Sequence, residues 1–470
     1  MFTYNLDNRG KTPLYVYLYN CIKADILSGK LKPDEKLPSK RSLSQHLKVS
    51  VITVENSYSQ LLLEGYIYSL ERKGYFVSRL HETLHETLPR INFLHTKKIK
   101  ETSQTHNDGC IFNFKSNSIS SGQFPFSIWA RLMRKTLSEQ KLHLLEPMQS
   151  KGIKELRDAI SDYLYHFRGM AVSPEQIVIG AGTEYLYGIL IQLLGRNRVF
   201  AVEDPGYQKI AHVYRSNDVR CEFIGVDRSG LSVWELNSSN ADVVHITPAH
   251  HFPTGIVMPI KRRHELLKWA SQREGRYIIE DDYDSEFRFT GRPIQTLQSI
   301  DKNQKVIYIN TFSKSIAPAI RIGYMVLPMN LIDAYAEKLS FYSCTVPSIE
   351  QFTLAQFISE GYFERHINRM RNYYKKQRDL VIKSIKNSLS EDKITILEED
   401  AGLHFLVNVN TDMSDEQIIR AAEKRGVRIS CLSEYYYDKK RKKDGTIIIN
   451  YSGIEYDKVE EAVESLMGIF

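Results

Sequence analysis

The run Thr311-Phe312-Ser313-Lys314-Ser315 follows an apolar stretch at 306–310, which places Lys314 just past the end of an expected strand. A lysine in a partly dry pocket loses its charge more readily, and the freed amine can attack an aldehyde. The hydroxyls of Thr311, Ser313 and Ser315 could hold a phosphate, as could Arg321 through a two-point contact. A second strand end carries Glu280-Asp281-Asp282-Tyr283. A carboxylate there can keep a pyridine nitrogen protonated and so strengthen the ring as an electron sink. The tyrosine hydroxyl can bond a phenolic oxygen. Gly180-Ala181-Gly182-Thr183-Glu184 follows a third strand and opens a helix, where backbone amides bind anions. Glu203-Asp204-Pro205-Gly206-Tyr207 could set an aromatic ring over a flat cofactor. Each fragment alone has a plainer reading: a surface lysine in a polar loop, a simple strand-to-helix turn, a tyrosine packed in the core.

These residues need a sheet to bring them together. From about 113 onward, strand-like runs at 176–180, 199–203, 243–247, 277–281, 306–310 and 324–327 alternate with helical patterns such as 184–194 and 262–273. That alternation predicts a largely parallel sheet covered by helices on both faces, with ligands at the carboxyl ends of the strands. From about 350, long charged helices and strands at 394–397, 403–409 and 446–450 predict a small α+β lobe.

The first 80 residues have a different pattern. Leu14, Leu18, Ile22 and Ile26 mark one face of a helix. Ser39 and Ser50 stand where caps of a second and third helix belong, and Gly65 ends the third. Strands at 66–68 and 75–77 enclose a basic turn. Helix, helix, short turn, helix and basic hairpin make a winged helix-turn-helix. Residues 1–80 hold 12 Lys+Arg against 7 Asp+Glu, which is five of the chain's seven excess positive charges and suits a nucleic-acid contact. LHETLHETL and the polar run after it predict a linker over 81–112. The domains expected are thus 1–80, the linker, and 113–470, with a large lobe at about 140–345 and a small lobe at about 346–470.

Five widely spaced cysteines form no CxxC pair, so the sequence predicts neither a metal site nor a disulfide framework, and fits a reducing cytoplasm. The start of the chain lacks a secretion-signal pattern, and no apolar run reaches membrane-spanning length, so no membrane partner is expected.

EDPGY, HFPTG, EDDYDSEF and TFSKS followed by Arg321 resemble, in order and spacing, the fold-type I aminotransferases. Together with LPSKRSLSQHLKVS and LLLEGYIYSLERKGYFV, they resemble the MocR subfamily of GntR-type regulators, above all its GabR-like, GABA-responsive branch. The fold class implied is a winged helix-turn-helix domain plus an α/β fold-type I PLP-dependent aminotransferase-like domain with a small C-terminal α+β lobe. The cofactor implied is pyridoxal 5'-phosphate, joined to Lys314. Asp281 is implied on the pyridinium nitrogen, Tyr283 on the phenolic oxygen and Tyr207 over the ring. Gly182, Thr183, Thr311, Ser313 and Arg321 are implied around the phosphate. Partners implied are double-stranded DNA at operator half-sites, an amine or amino-acid effector, and a second copy of the chain in a head-to-tail, domain-swapped homodimer. On the DNA side the positions are Ser39, Lys40, Arg41, Ser50, Thr53, Asn56, Arg72, Lys73 and Gly74.

Two departures qualify the resemblance. Where GABA-responsive members grip the effector carboxylate with arginines, this chain has Lys209 and Glu434, and the second reverses the charge. An effector that is larger, amine-bearing or zwitterionic is therefore expected, or one gripped elsewhere. The asparagine usual before the Pro-Thr-Gly turn is Phe252, which argues against efficient turnover. The expected function is a regulator that senses its effector by external aldimine formation at Lys314, with at most weak transaminase activity. The alternatives are a working aminotransferase with an accessory DNA-binding head and a regulator that senses pyridoxal phosphate itself.

Overall fold

Strands that are apolar on both sides must be covered on both faces. In the computed structural model the chain divides into two compact units, Met1–His106 and Asn107–Phe470. The structure describes residues 3–4, 6–10, 12–79, 111–115, 121–289, 294–390, 392–400 and 402–470. The linker expected over 81–112 lies outside the described residues as far as 110.

The first unit is a winged helix-turn-helix. Helices α1 (Leu14–Leu27), α2 (Lys40–Leu47) and α3 (Val51–Leu63) precede a hairpin of β1 (Ile67–Leu70) and β2 (Gly74–Val77). Leu18, Ile22 and Ile26 pack with Leu43, Val54, Tyr58, Leu61 and Val77 in one core. The Ser39 side chain accepts from Ser42 N–H and that of Ser50 from Thr53 N–H, so both expected caps form. The hairpin is longer than the sequence predicts. Arg72 adopts a left-handed φ of 59°, which closes the turn within Glu71–Lys73 and leaves Leu70 free to pair with Gly74.

The second unit is built on an eight-stranded sheet. Its strands are β4 (Ile177–Gly180), β5 (Val199–Asp204), β6 (Arg220–Asp227), β7 (Gly230–Leu231), β8 (Val243–Ile246), β9 (Tyr277–Asp281), β10 (Val306–Thr311) and β11 (Gly323–Val326). Their spatial order is β4-β11-β10-β9-β8-β5-β6-β7. Alternate residues feed opposite faces. Ile279, Ile307 and Ile309 join the cluster that includes Leu186 and Leu190 of the helix Thr183–Leu194. Ile278 and Val306 join Leu266 and Trp269 of the helix Ile260–Ser271.

β10, β9, β8, β5 and β6 pair in parallel, but β11 runs antiparallel to both β10 and β4. Only residues 312–322 separate β10 from β11. That is too short for a crossover helix, so the chain turns back at the same end of the sheet. The loop that makes this return carries Lys314 and Arg321.

The remaining strands, β3 (Phe112–Asn113), β12 (Ile394–Leu397), β13 (His404–Val409), β14 (Val427–Arg428), β15 (Ser430–Cys431) and β16 (Thr446–Asn450), belong to the small lobe. They pack on the long helix Tyr362–Ser388. Three expected boundaries shift. Phe112, expected in the linker, pairs with Val427, because Phe112 and Phe114 fill the small-lobe core. The large-lobe core begins before 140, since Trp129 and Leu132 of the helix Phe126–Glu139 pack against Ile177 and Ile179. It also extends past 345, through Leu354 and Phe357 of the helix Ser348–Ser359. No helix among the described residues is long and apolar enough to cross a membrane.

A buried ion pair ties the end of one helix to the sheet. Arg168, the last residue of the helix Lys154–Arg168, reaches Asp282 just past β9 at 2.5 Å, and Tyr308 donates to the same carboxylate at 2.7 Å. Burial alone lowers the guanidinium, and the charge of Asp282 outweighs it and raises it. Asp282→Ala would leave the Arg168 charge buried and uncompensated, and should cost about 3–5 kcal/mol. All three tryptophans lie in this unit, so a urea melt followed by their fluorescence reads its stability. An unchanged midpoint would show that the pair does not hold the helix.

Candidate functional site

The carboxyl ends of β5, β8, β9 and β10 converge on a cavity of about 300 Å³ lined by Lys314, Asp281, Tyr283, Tyr207, Thr183, Thr311, Ser313 and Arg321, among others. Eight residues picked from separate segments of sequence thus share one cavity, and Gly182 stands beside it.

Lys314 sits on the helical turn Phe312–Ser315 directly after β10. It keeps some exposed surface, yet its amine lies deep enough that burial pushes it down to about 8, with the carboxylate of Asp284 pulling the other way. Thr311 caps this turn by accepting from Ser313 N–H at 3.2 Å, and its hydroxyl donates to Ser313 Oγ at 2.9 Å.

Asp281 ends β9 and is almost wholly buried. Its Oδ2 accepts from the Tyr187 hydroxyl and lies 3.4 Å from His245 Nε2. A carboxylate can only accept, so Nε2 is the donor and His245 Nδ1 accepts from Tyr214 Oη at 2.6 Å. Asp281 Oδ1 is buried and has no hydrogen-bond partner among the described residues. A buried carboxylate oxygen bordering a cavity fits a protonated ring nitrogen.

The anion end of the cavity rests on Gly182 and Arg321. Gly182 has φ +86°, and a Cβ there would collide with the Arg321 guanidinium, so the backbone and the cation can approach only because this residue is glycine. Thr183 begins the helix whose amino end faces this space. Arg321 also reaches Glu184 at 3.3 Å, and Lys209 forms an ion pair with the same carboxylate. A phosphate-bearing ring with an aldehyde fits these residues: a cation and helix amides for the phosphate, an amine for the aldehyde, an unpaired carboxylate oxygen for the ring nitrogen.

Tyr207 is 47% exposed, and its ring meets Phe252 edge-on at 5.7 Å. Tyr283 Oη lies 3.4 Å from His250 Nδ1, which is 2.9 Å from Asp284. His250, Asp284 and His404 place ligand-type atoms within 4.8 Å of one another, although the sequence predicts no metal site. Here His250 bonds Asp284 and its ring lies 4.5 Å from that of His404, whose Nε2 donates to the Pro253 carbonyl at 3.2 Å.

The two expected effector residues part company. Lys209 lines the cavity. Glu434 is not among its lining residues: its carboxylate accepts from Cys431 N–H at 3.1 Å and pairs with Lys115 at 3.5 Å, closing a turn of the small lobe. Sequence reasoning missed Tyr187, His245 and Glu184. A histidine inside the apolar strand VVHI, and a tyrosine one helical turn after Thr183, were the available signals.

In the head, Arg41, Asn56, Arg72 and Lys73 are exposed, as are the capping residues Ser39 and Ser50. Thr53 is half-buried, its hydroxyl 2.8 Å from Ser50 Oγ. Gly74 begins β2 and pairs with Leu70. Lys40 pairs with Glu55 at 2.6 Å and lies 5.7 Å over the Tyr75 ring, which links α2, α3 and the wing.

Comparison with known proteins agrees with this architecture. Residues 111–466 match the family described as aminotransferase class I and II, and residues 14–77 match bacterial regulatory proteins of the gntR family. The uncharacterized HTH-type transcriptional regulator YdeL of Bacillus subtilis strain 168 is 37% identical, over 97% of this chain and 96% of its own. The probable rhizopine catabolism regulatory protein MocR of Rhizobium meliloti is 32% identical, over 99% and 95%. A Pyrococcus horikoshii kynurenine aminotransferase structure superposes with a TM-score of 0.67 at 24% identity, over 76% of this chain and 90% of that one, a likeness of fold. The chain belongs to the MocR subfamily of GntR-type HTH transcriptional regulators and carries an aminotransferase class I/II domain.

The depressed Lys314 amine has a measurable consequence. In protein stripped of carbonyl compounds, reductive amine labelling of Lys314 should titrate near pH 8, against 10.5 for an ordinary lysine. Because the folded value lies below the unfolded one, burying the charged amine costs stability below about pH 8, and that cost fades as pH rises toward 10.5. A labelling midpoint near 10.5 would mean that the amine is open to water.

Proposed function

We propose that this regulator uses pyridoxal 5'-phosphate to sense an amine or amino acid, and that Lys314 is the residue through which it does so. The observation that carries this reading is the unpaired Asp281 Oδ1 in the same cavity as a depressed lysine and the Gly182–Arg321 cradle. When bound, the cofactor supplies an aldehyde carbon at which one amine can replace another, on a ring that withdraws electrons.

Lys314 would hold that carbon through its amine, and an effector amine would compete with it for the same carbon. Asp281, fixed by Tyr187 and His245, would keep a proton on the ring nitrogen. Tyr283 would donate to the phenolic oxygen and Tyr207 would cover the ring face. Gly182, Thr183, Thr311, Ser313 and Arg321 would surround the phosphate. Lys209, already neutralised by Glu184, meets the effector's acidic end where it has one. The effector acts only through its unequal affinity for DNA-competent and DNA-incompetent states.

Support for sensing over turnover comes from Phe252. It stands where aminotransferases usually place an asparagine and packs edge-on against Tyr207, His404 and Tyr435. The domain division, a head ahead of a separate sensor body, belongs to this proposal, as does a homodimer with exchanged heads. The largely exposed Leu142, Leu145 and Phe341 on the body support pairing, and the exchange of heads rests on the family resemblance.

Absorbance spectroscopy tests the reading. Purified protein should carry a visible band that Lys314→Ala abolishes, and one amine from a panel should shift the band without releasing pyridoxamine phosphate. No band at all overturns the cofactor assignment. Rapid conversion to the pyridoxamine form with keto-acid turnover replaces the sensor with an enzyme.

A further inference from the structure

The solvent face of α3 presents Val51, Ile52, Glu55, Asn56 and Ser59, while Val54, Ser57, Tyr58 and Leu61 face the core of the head. Ile52 is 68% exposed and Val51 is 41% exposed, so two adjacent aliphatic side chains lie in water. None of the 13 residues of α3 is lysine or arginine. The one acidic group on this face, Glu55, pairs with Lys40 through Oε1 at 2.6 Å, so its charge is matched within the head. Exposed cations frame the face instead: Arg41 on α2, and Arg72 and Lys73 in the wing.

This chemistry discriminates among base pairs. Guanine offers two acceptors to the major groove and calls for paired donors from arginine or lysine. Cytosine offers a donor and calls for a free carboxylate. Thymine offers a methyl group that needs only apolar surface, and adenine offers a donor beside an acceptor, which the two ends of an asparagine amide match. The α3 face has apolar surface and one exposed amide, and the framing cations match the phosphates on either side.

We propose that the α3 face reads A·T base pairs in the major groove of duplex DNA. Ile52 and Val51 pack on thymine 5-methyl groups and Asn56 bonds an adenine edge. Arg41, Arg72 and Lys73 take phosphates and carry no base preference. This rests on the reading of the head as a DNA-binding unit.

The test uses the full-length protein and a random duplex library. Selection should enrich A·T pairs at the centre of each half-site. Fluorescence anisotropy at fixed salt then compares a selected duplex with one in which those thymines are uracil, a change that removes only methyl groups. Affinity should fall about fourfold per lost methyl, the scale of one buried carbon. With Ile52→Ser the preference for thymine over uracil duplexes should shrink, with Val51→Ser added it should vanish, and because Ile52 is exposed the single variant's melting temperature should not move. Asn56→Ala should relax the adenine preference roughly tenfold. Enrichment of G·C at the centre, or uracil duplexes that bind as well as thymine ones, overturns the assignment and leaves the DNA-binding reading intact. Failure to bind any duplex overturns both.

Discussion

An ionised carboxylate buried at the end of a strand is costly unless donors surround it. Asp281 meets this requirement with a phenol from one helix and an imidazole from the neighbouring strand. Tyr187 can reach it only because the helix Thr183–Leu194 lies across that face of the sheet, and His245 only because β8 pairs with β9. Much of the body follows from this arrangement. β10 lies on the other side of β9, so Lys314 emerges beside Asp281. The short return to antiparallel β11 then brings Arg321 back to Gly182 on the amino side of the Tyr187 helix.

The charged groups of the body divide by depth. Asp281, Asp282 and Arg168 are buried, Asp282 paired with Arg168 and Asp281 held through one oxygen by Tyr187 and His245, so they fix geometry. Glu184, Lys209 and Arg321 are partly exposed at the cavity wall, where ion pairs exchange at little free-energy cost. A rigid interior beneath an exchangeable rim suits a site that must hold one group firmly and admit another. The head solves a smaller problem. Its core is a single cluster, its helices start on serine caps, and one lysine braces α2 against α3 and the wing.

Legibility in the sequence followed the range of the interactions. The caps at Ser39 and Ser50 are local, set by bonds spanning three residues, and the pattern identified them. The parallel strands were legible because burial on both faces makes them continuous apolar runs. β6 escaped notice: its RCEFIGVD mixes charged and apolar residues and becomes a strand through pairing with β5. Phe112 read as linker because its partner, Val427, is more than three hundred residues away. Glu434 looked like an effector contact by position, and only the fold turned its carboxylate toward Cys431 N–H and Lys115.

By itself the sequence determined the inventory of chemistry and its local scaffolds: a lysine after one strand, an aspartate at the end of another, a glycine opening a helix, serines at helix starts. Hydrophobic period, capping and turn preference act over a few residues and leave their mark directly on residue order. The tertiary structure alone decided which oxygen of Asp281 is occupied and which is free, that Tyr187 and His245 are the donors, that Glu184 holds Lys209 and Arg321, and that the Glu434 carboxylate meets Cys431 N–H and Lys115. Those outcomes depend on strand order and on which helix covers which face, relations between segments far apart in the chain that no local pattern encodes.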